Sequence, residues 1–163
     1  MDKKKTLIVV AGLPCAGKSY YINKCFSSFP VIDLYSFQKG KILTVERVLR
    51  SYDECRQAVI DTLQQNDFVI LEHPLVKKAR RMEFLQGIKD AVPVKIYMHW
   101  IKPDFVSYCQ RVEERGLFES VEACREDYHF QDVPTKDEGY ESLEIVDTAH
   151  TCGDCRYFTG MGD

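Results

Sequence analysis

The chain has 163 residues, a formal net charge of −3 and a composition 45% hydrophobic and 29% charged. That is enough for one domain with a single core, and too ordinary for a disordered tail or a collagen-like chain. The acidic balance gives no global pull toward nucleic acid or membrane, so any anion site has to be local.

In chain order, MDKKKTLIVV puts positive residues before an apolar run, as a secretory signal does. The run Thr6–Ala11 is short, however, and leads into glycines rather than a small-residue cleavage site. No apolar stretch approaches the ~20 residues of a membrane span, and a cytoplasmic protein without a membrane partner is expected. Thr6–Ala11 reads instead as a strand buried on both faces. From Lys18 to Ser27, Tyr21, Ile22, Cys25 and Phe26 follow helical spacing, and Val31–Asp33 is a second short strand. Val45–Gln65 is a long helical stretch with an expected interruption near Ser51-Tyr52-Asp53, where Ser or Asp would cap a new helix.

Phe68–Leu71 is the third strand. Lys77–Ala91, with Met82, Phe84, Leu85 and Ile88, is a helix, and Val94–Trp100 the fourth strand. Pro103–Glu114 reads as a helix with Pro in its first turn, Glu119–Tyr128 as another, and Leu143–Val146 as a final strand. Strands alternating with helices predict an α/β fold of three layers, a parallel five-stranded sheet with helices on both faces. Such sheets bind ligands at the carboxyl ends of their strands. That rule selects the loop after Ala11, the Asp33 region, Glu72-His73 and the segment after Trp100. Cys15, Cys25, Cys55, Cys109 and Cys124 show no framework spacing, and the total of seven is odd, so most are expected to be free, buried thiols.

Residues 12–19 read GLPCAGKS and match G-x-x-x-x-G-K-[ST], with Gly12, Gly17, Lys18 and Ser19 in the defining places. Gly12 ends the strand where the chain must turn, and Gly17 removes a side chain where backbone must approach phosphate oxygens. Successive loop amides and the following helix N-terminus form a partly positive nest. Lys18 adds a full charge on the β- and γ-phosphates, and the Ser19 hydroxyl takes a position on Mg²⁺. Pro14, Cys15, Ala16 and Tyr20 complete the expected contact with ATP.

From about Lys4 to Thr148 the chain resembles the small P-loop kinases grouped around polynucleotide 5′-kinases, and more distantly gluconate and shikimate kinases and zeta-type toxins. Gly12–Ser19 carries the match most fully. In YCQRVEERG, residues 108–116, Arg111 and Arg115 lie four apart before a glycine, as in the family's nucleotide lid. Both guanidinium groups would then reach one triphosphate. The alternative is a solvated face, since Glu113 and Glu114 lie between them.

LEHPLVKKARR follows the third strand. Arg80 and Arg81 match the family's basic pair, while His73-Pro74-Leu75 replaces an Asp-Thr-Asn-like triplet. Glu72 either orients magnesium-bound water, acts as base, or serves as a cap or salt-bridge partner. In VIDLYSFQ, Asp33 is the first acidic position of the family pattern. It is either a base or magnesium-side carboxylate, or a strand-end cap; Tyr35 and Gln38 replace the family's base and acceptor-gripping arginine. FQDVPTKDEGYESLEIV resembles the family's closing segment, implying adenine-side packing and fold closure.

These readings place a kinase-like domain at 1–149, with an arginine lid near 108–130, and a CxxC tail at 150–163. Cys152 and Cys155 have the spacing of half a zinc site or a redox pair, and are expected to belong to a frayed tail or the first half of a zinc module. The resemblance implies transfer of the γ-phosphoryl of ATP·Mg²⁺ to a hydroxyl, on a nucleic-acid 5′-end or a small metabolite. Lys77, Lys78, Arg80 and Arg81 would supply part of a basic track for the former. The competing expectation is an ATPase or nucleotide-regulated binding module with a degenerate acceptor site.

Overall fold

Alternate residues of the first strand face opposite sides of a sheet, and here both sides are buried. A computed structural model describes residues 3–116 and 121–148. In it β1 (Lys5–Ala11) is the central strand of five, with β2 (Val31–Asp33), β3 (Phe68–Glu72), β4 (Val94–Ile101) and β5 (Ser142–Val146). The order is β2-β3-β1-β4-β5 and every pairing is parallel. Leu7, Val9 and Ala11 join one apolar cluster and Ile8 and Val10 another, the period of two expected of a strand.

Helix α1 (Lys18–Cys25) covers the second cluster through Tyr21 and Ile22, joined by Phe26 just beyond it. Helices α2 (Val45–Gln65) and α3 (Lys78–Ala91) cover the first, through Cys55, Val59 and Leu63 and through Phe84, Leu85 and Ile88. The predicted layers and five parallel strands are therefore present. A third cluster lies beyond the carboxyl end of β1. It packs Leu13 and Cys15 of the glycine loop against Tyr108 and Val112 of α4 (Phe105–Glu114) and Cys124 of α5 (Val121–His129).

The expected break near Ser51 does not occur, and α2 runs unbroken from its Thr44 cap, whose side chain accepts from Arg47 N. Ser51, Cys55, Val59 and Leu63 form one buried stripe at helical spacing. The Ser51 hydroxyl is satisfied inside it, donating to Val48 O at 2.6 Å and accepting from Gln38 Nε2 at 3.0 Å. A serine bonded back to its own helix does not compete for a new cap. Pro103 likewise is not in the first turn of α4; Asp104 caps that helix, accepting from Ser107 N at 2.9 Å.

Arg81 is the largest departure from the expected surface. It is fully buried, with Nε and Nη2 on the two carboxylate oxygens of Glu138 at 2.8 and 3.0 Å. Its Nη1 donates to Leu75 O and Asp132 O, and the guanidinium lies 5.5 Å from the Trp100 ring centre. The closing segment thus acts through Glu138, which ties it to α3. Arg81 is no part of a basic track. Cys152 and Cys155 lie outside the described residues.

Candidate functional site around the glycine loop

The loop leaves β1 at Gly12, where φ is 140° and an added Cβ would sit 2.5 Å from Ile101 O. Only glycine fits there. Gly12 N donates to Pro74 O at 3.0 Å, so the loop is pinned to the segment after β3. His73, buried between Tyr52 and Phe84, accepts from Leu75 N at 3.2 Å. Burial lowers its pKa to about 3, so it is a neutral acceptor that shapes this segment. Lys18 is half-buried, with Nζ donating to Gly12 O at 2.9 Å and Leu13 O at 2.8 Å. Burial lowers its pKa to about 8 despite the opposing charges of Glu72, Cys15 and Asp33.

Two carboxylates stand at the adjoining strand ends, because β2 and β3 pair in a register that sets Asp33 against Glu72. Ser19 Oγ donates to Glu72 Oε1 at 2.6 Å, joining the start of α1 to this pair. Burial pushes the Glu72 carboxyl up; Asp33 adds to the rise, while the Ser19 hydroxyl and Lys18 oppose it. Asp33 also caps the 3₁₀ turn Leu34–Phe37, its Oδ1 accepting from Tyr35 N at 2.9 Å. The capping reading of Asp33 holds, and the register keeps the residue beside Glu72. Serine hydroxyl and carboxylates are hard oxygen donors that suit Mg²⁺. Among the described residues no three His, Cys, Asp or Glu side chains form a metal cluster. An ion here would take its other ligands from water and phosphate, as Mg²⁺ commonly does.

The opposite side of the loop is occupied by α4. Arg111 Nη1 donates to Ala16 O at 2.6 Å and Thr148 Oγ1 at 2.9 Å, and Thr148 Oγ1 donates to the same carbonyl at 2.8 Å. Arg115 Nη1 lies 3.8 Å from Cys15 Sγ. The helix stops there because Gly116 turns left-handed at φ 63°, its N–H closing on Glu113 O. Gly17 is required by packing as well: a Cβ on it would lie 2.9 Å from Arg111 Nη1 and 3.0 Å from Thr148 Oγ1. Between α4 and the loop opens a cavity of about 520 Å³, lined by Cys15, Gly17, Tyr20, Gln110, Arg111, Arg115 and Thr148 among others.

No family model matches the chain, and no curated protein sequence does. Solved structures do resemble it. A candidate kinase from Chloroflexus aurantiacus superposes with a TM-score of 0.74 at 15% identity, covering 90% of this chain and 89% of that one. The chain has the P-loop kinase fold. A gluconokinase from Sinorhizobium meliloti gives a TM-score of 0.59 at 17% identity, over 91% of this chain and 85% of its own. A chain of the Pnkp1/Rnl/Hen1 RNA repair complex gives 0.62 at 14% identity, over 80% of this chain and 45% of that one.

Within this P-loop kinase fold the residues singled out from sequence fall into two groups about one loop. Lys18, Ser19, Asp33 and Glu72 converge on one side; Arg111 and Arg115 approach from the other, with Cys15, Gly17 and Tyr20 along the cavity between. Pro14 is exposed and Ala16 offers its carbonyl to Arg111. Thr148 and Gln110 were not anticipated. Thr148 lies just past the carboxyl end of the last strand, where open sheets place ligands, and that rule was the available signal. The basic residues before and within α3 are partly engaged: Arg81 is in the core, and Lys77 Nζ donates to Phe130 O at 3.1 Å.

Proposed function

We propose that this chain is an ATP-dependent phosphotransferase that moves the γ-phosphoryl group of ATP to a hydroxyl of a small acceptor. The observation that carries the reading is the flanking of one glycine loop by a Ser19–Glu72–Asp33 group on one side and by Arg111 and Arg115 on the other. Phosphoryl transfer needs little covalent chemistry from a protein; it needs positioning and charge placed around the transferring group.

The loop amides and Lys18 bind the phosphates, for which the Lys18 ammonium exchanges its two carbonyl partners. The base end of the nucleotide occupies the 520 Å³ cavity, against Tyr20, Gln110 and Thr148. When bound, Mg²⁺ neutralises charge on the phosphates, held by Ser19 with Asp33 and Glu72 beside it. Glu72, whose carboxyl is pushed up by burial, or its neighbour Asp33 takes the proton of the acceptor hydroxyl. Arg111 and Arg115 approach the phosphates from α4. A small acceptor is favoured over a polynucleotide end because Arg81 and Lys77 are engaged within the chain and the net charge is −3.

A second reading, an ATPase or nucleotide-regulated module, draws on the acceptor side. There Gln38 donates to Ser51 Oγ of α2, and Tyr35 is 63% exposed. Transfer from labelled ATP to a panel of sugars, nucleosides and 5′-hydroxyl oligonucleotides tests both. A phosphorylated product supports the transferase; steady ADP release with no product supports the ATPase.

A further inference from the structure

The search for chemistry that the proposed transfer leaves unused leads to the cluster beneath the arginine helix. Cys109 of α4 and Cys124 of α5 place their sulfurs 3.1 Å apart. Cys124 is 3% exposed, behind Cys109, which is half-buried. Cys15 of the glycine loop belongs to the same apolar cluster. Neither Cys109 nor Cys124 lines the cavity between α4 and the loop, and apolar contact alone does not require two thiols to meet.

We propose that Cys109 and Cys124 form a reversible dithiol–disulfide site that clamps α4 to α5 and so controls the helix bearing Arg111 and Arg115. The geometry sets the roles. A disulfide needs sulfurs about 2.0 Å apart, an approach of roughly 1 Å from the present contact. The oxidant is a low-molecular-weight disulfide, RSSR. The thiolate of Cys109, which reaches solvent, attacks one sulfur of RSSR, forming a Cys109–S–S–R bond and expelling RS⁻, which takes up a proton. Cys124 then loses its proton and attacks the Cys109 sulfur, breaking the bond to R and releasing the second RSH. Two electrons pass from the protein thiols to RSSR, and two RSH appear for one protein disulfide. Burial raises the pKa of the Cys124 thiol, so its attack on the mixed disulfide speeds up as pH rises.

The consequence for nucleotide handling follows from α4. Arg111 is two residues past Cys109 and is bonded to Ala16 O, so drawing α4 onto α5 changes the hold of both arginines on the loop. That consequence rests on the kinase reading; formation of the bond does not.

The test is peptide mapping of the full chain after incubation with oxidised glutathione, blocking of free thiols and digestion. The expected result is a Cys109–Cys124 cross-linked pair, lighter by two hydrogens and lost on reduction with dithiothreitol. Cys124→Ser should trap glutathione on Cys109, and Cys109→Ser should leave Cys124 unmodified. Recovery of Cys109 and Cys124 as free thiols while Cys152 and Cys155 are oxidised would overturn the site, as would a pair made with Cys15. Release of a fluorescent ATP analogue, compared before and after oxidation, tests the clamp. A reductant-reversible change in release rate supports it, and a cross-linked protein with an unchanged rate overturns it. A protein that cross-links yet binds no analogue even when reduced would sink the kinase reading and the clamp together, leaving the disulfide site.

Discussion

Ser19 Oγ donates to Glu72 Oε1 at 2.6 Å, tying the helix that follows the glycine loop to the end of a strand 53 residues further along. The bond orients a hydroxyl and a carboxylate at the place where the charge of transferring phosphate is expected. Glu72→Gln keeps the shape and removes a carboxylate proposed as the base. Its expected effect is a fall in turnover of about 10²–10⁴-fold, with ATP affinity changed far less. Initial rates and calorimetric binding on the same preparation separate the two, and equal losses would remove Glu72 from the chemical step.

Lys18 gives a pH signature. Burial holds the free ammonium at about 8, while bound phosphate stabilises the charged form and raises its pKa. Binding therefore takes up a proton above about pH 8 and none well below it. Nucleotide affinity should be constant below that value and fall above it, by up to about tenfold per pH unit. Titration calorimetry on either side of pH 8 checks this. Lys18→Ala should lose most of the affinity, lose the pH dependence and keep its circular dichroism spectrum.

Among the described residues the Arg115 guanidinium reaches the Cys15 sulfur at 3.8 Å, while its backbone N–H closes α4 on Arg111 O. Arg115→Ala should lower turnover by something of order 10³-fold while weakening binding less. Arg111→Ala should weaken both, because Arg111 also holds Ala16 O and Thr148. Comparable losses of turnover and affinity for Arg115→Ala would remove it from charge stabilisation during transfer.

Glycine substitutions separate two needs. Gly17→Ala puts a methyl 2.9 Å from Arg111 Nη1 at a φ of 107° and should abolish nucleotide binding. Gly116→Ala meets nothing within 4 Å among the described residues, so it should cost only the left-handed backbone, about 1–2 kcal/mol of stability. Thermal melts with and without nucleotide compare them.

Arg81 and Glu138 govern stability rather than chemistry. Burial pushes the Glu138 carboxyl up, but the Arg81 guanidinium, the Tyr140 hydroxyl and the Thr135 amide outweigh it and hold it at about 2. A depressed carboxyl stabilises above its ordinary value near 4.5 and loses that contribution as pH falls toward 2, so the part of the stability that Glu138 supplies should be lost within this window. Glu138→Ala leaves a buried guanidinium without its carboxylate and should cost about 3–5 kcal/mol. Pairing Arg81→Met with Glu138→Leu should recover much of it. Urea titrations of the three proteins measure the difference.

Read from its residues alone, the chain already disclosed its strands, its order of elements and the glycine loop between β1 and α1. Each of these is written locally: β1 in a run buried on both faces, the loop in glycines at positive φ, and α2 in apolar spacing along one stripe. Arg111 and Arg115 were also legible, because four residues on a helix is a local distance. What remained hidden depended on partners far along the chain. Arg81 looked like part of a basic surface until Glu138, 57 residues away, arrived beside it. Ser51 looked like a helix break until Gln38 and Val48 satisfied its hydroxyl within a buried stripe. Thr148 meets Ala16 across 132 residues because β4 lies between β1 and β5, and only the folded sheet sets that order. Local backbone geometry and side-chain periodicity are properties of neighbours in sequence, whereas burial and pairing of a polar group are decided by whichever strand end it finally meets.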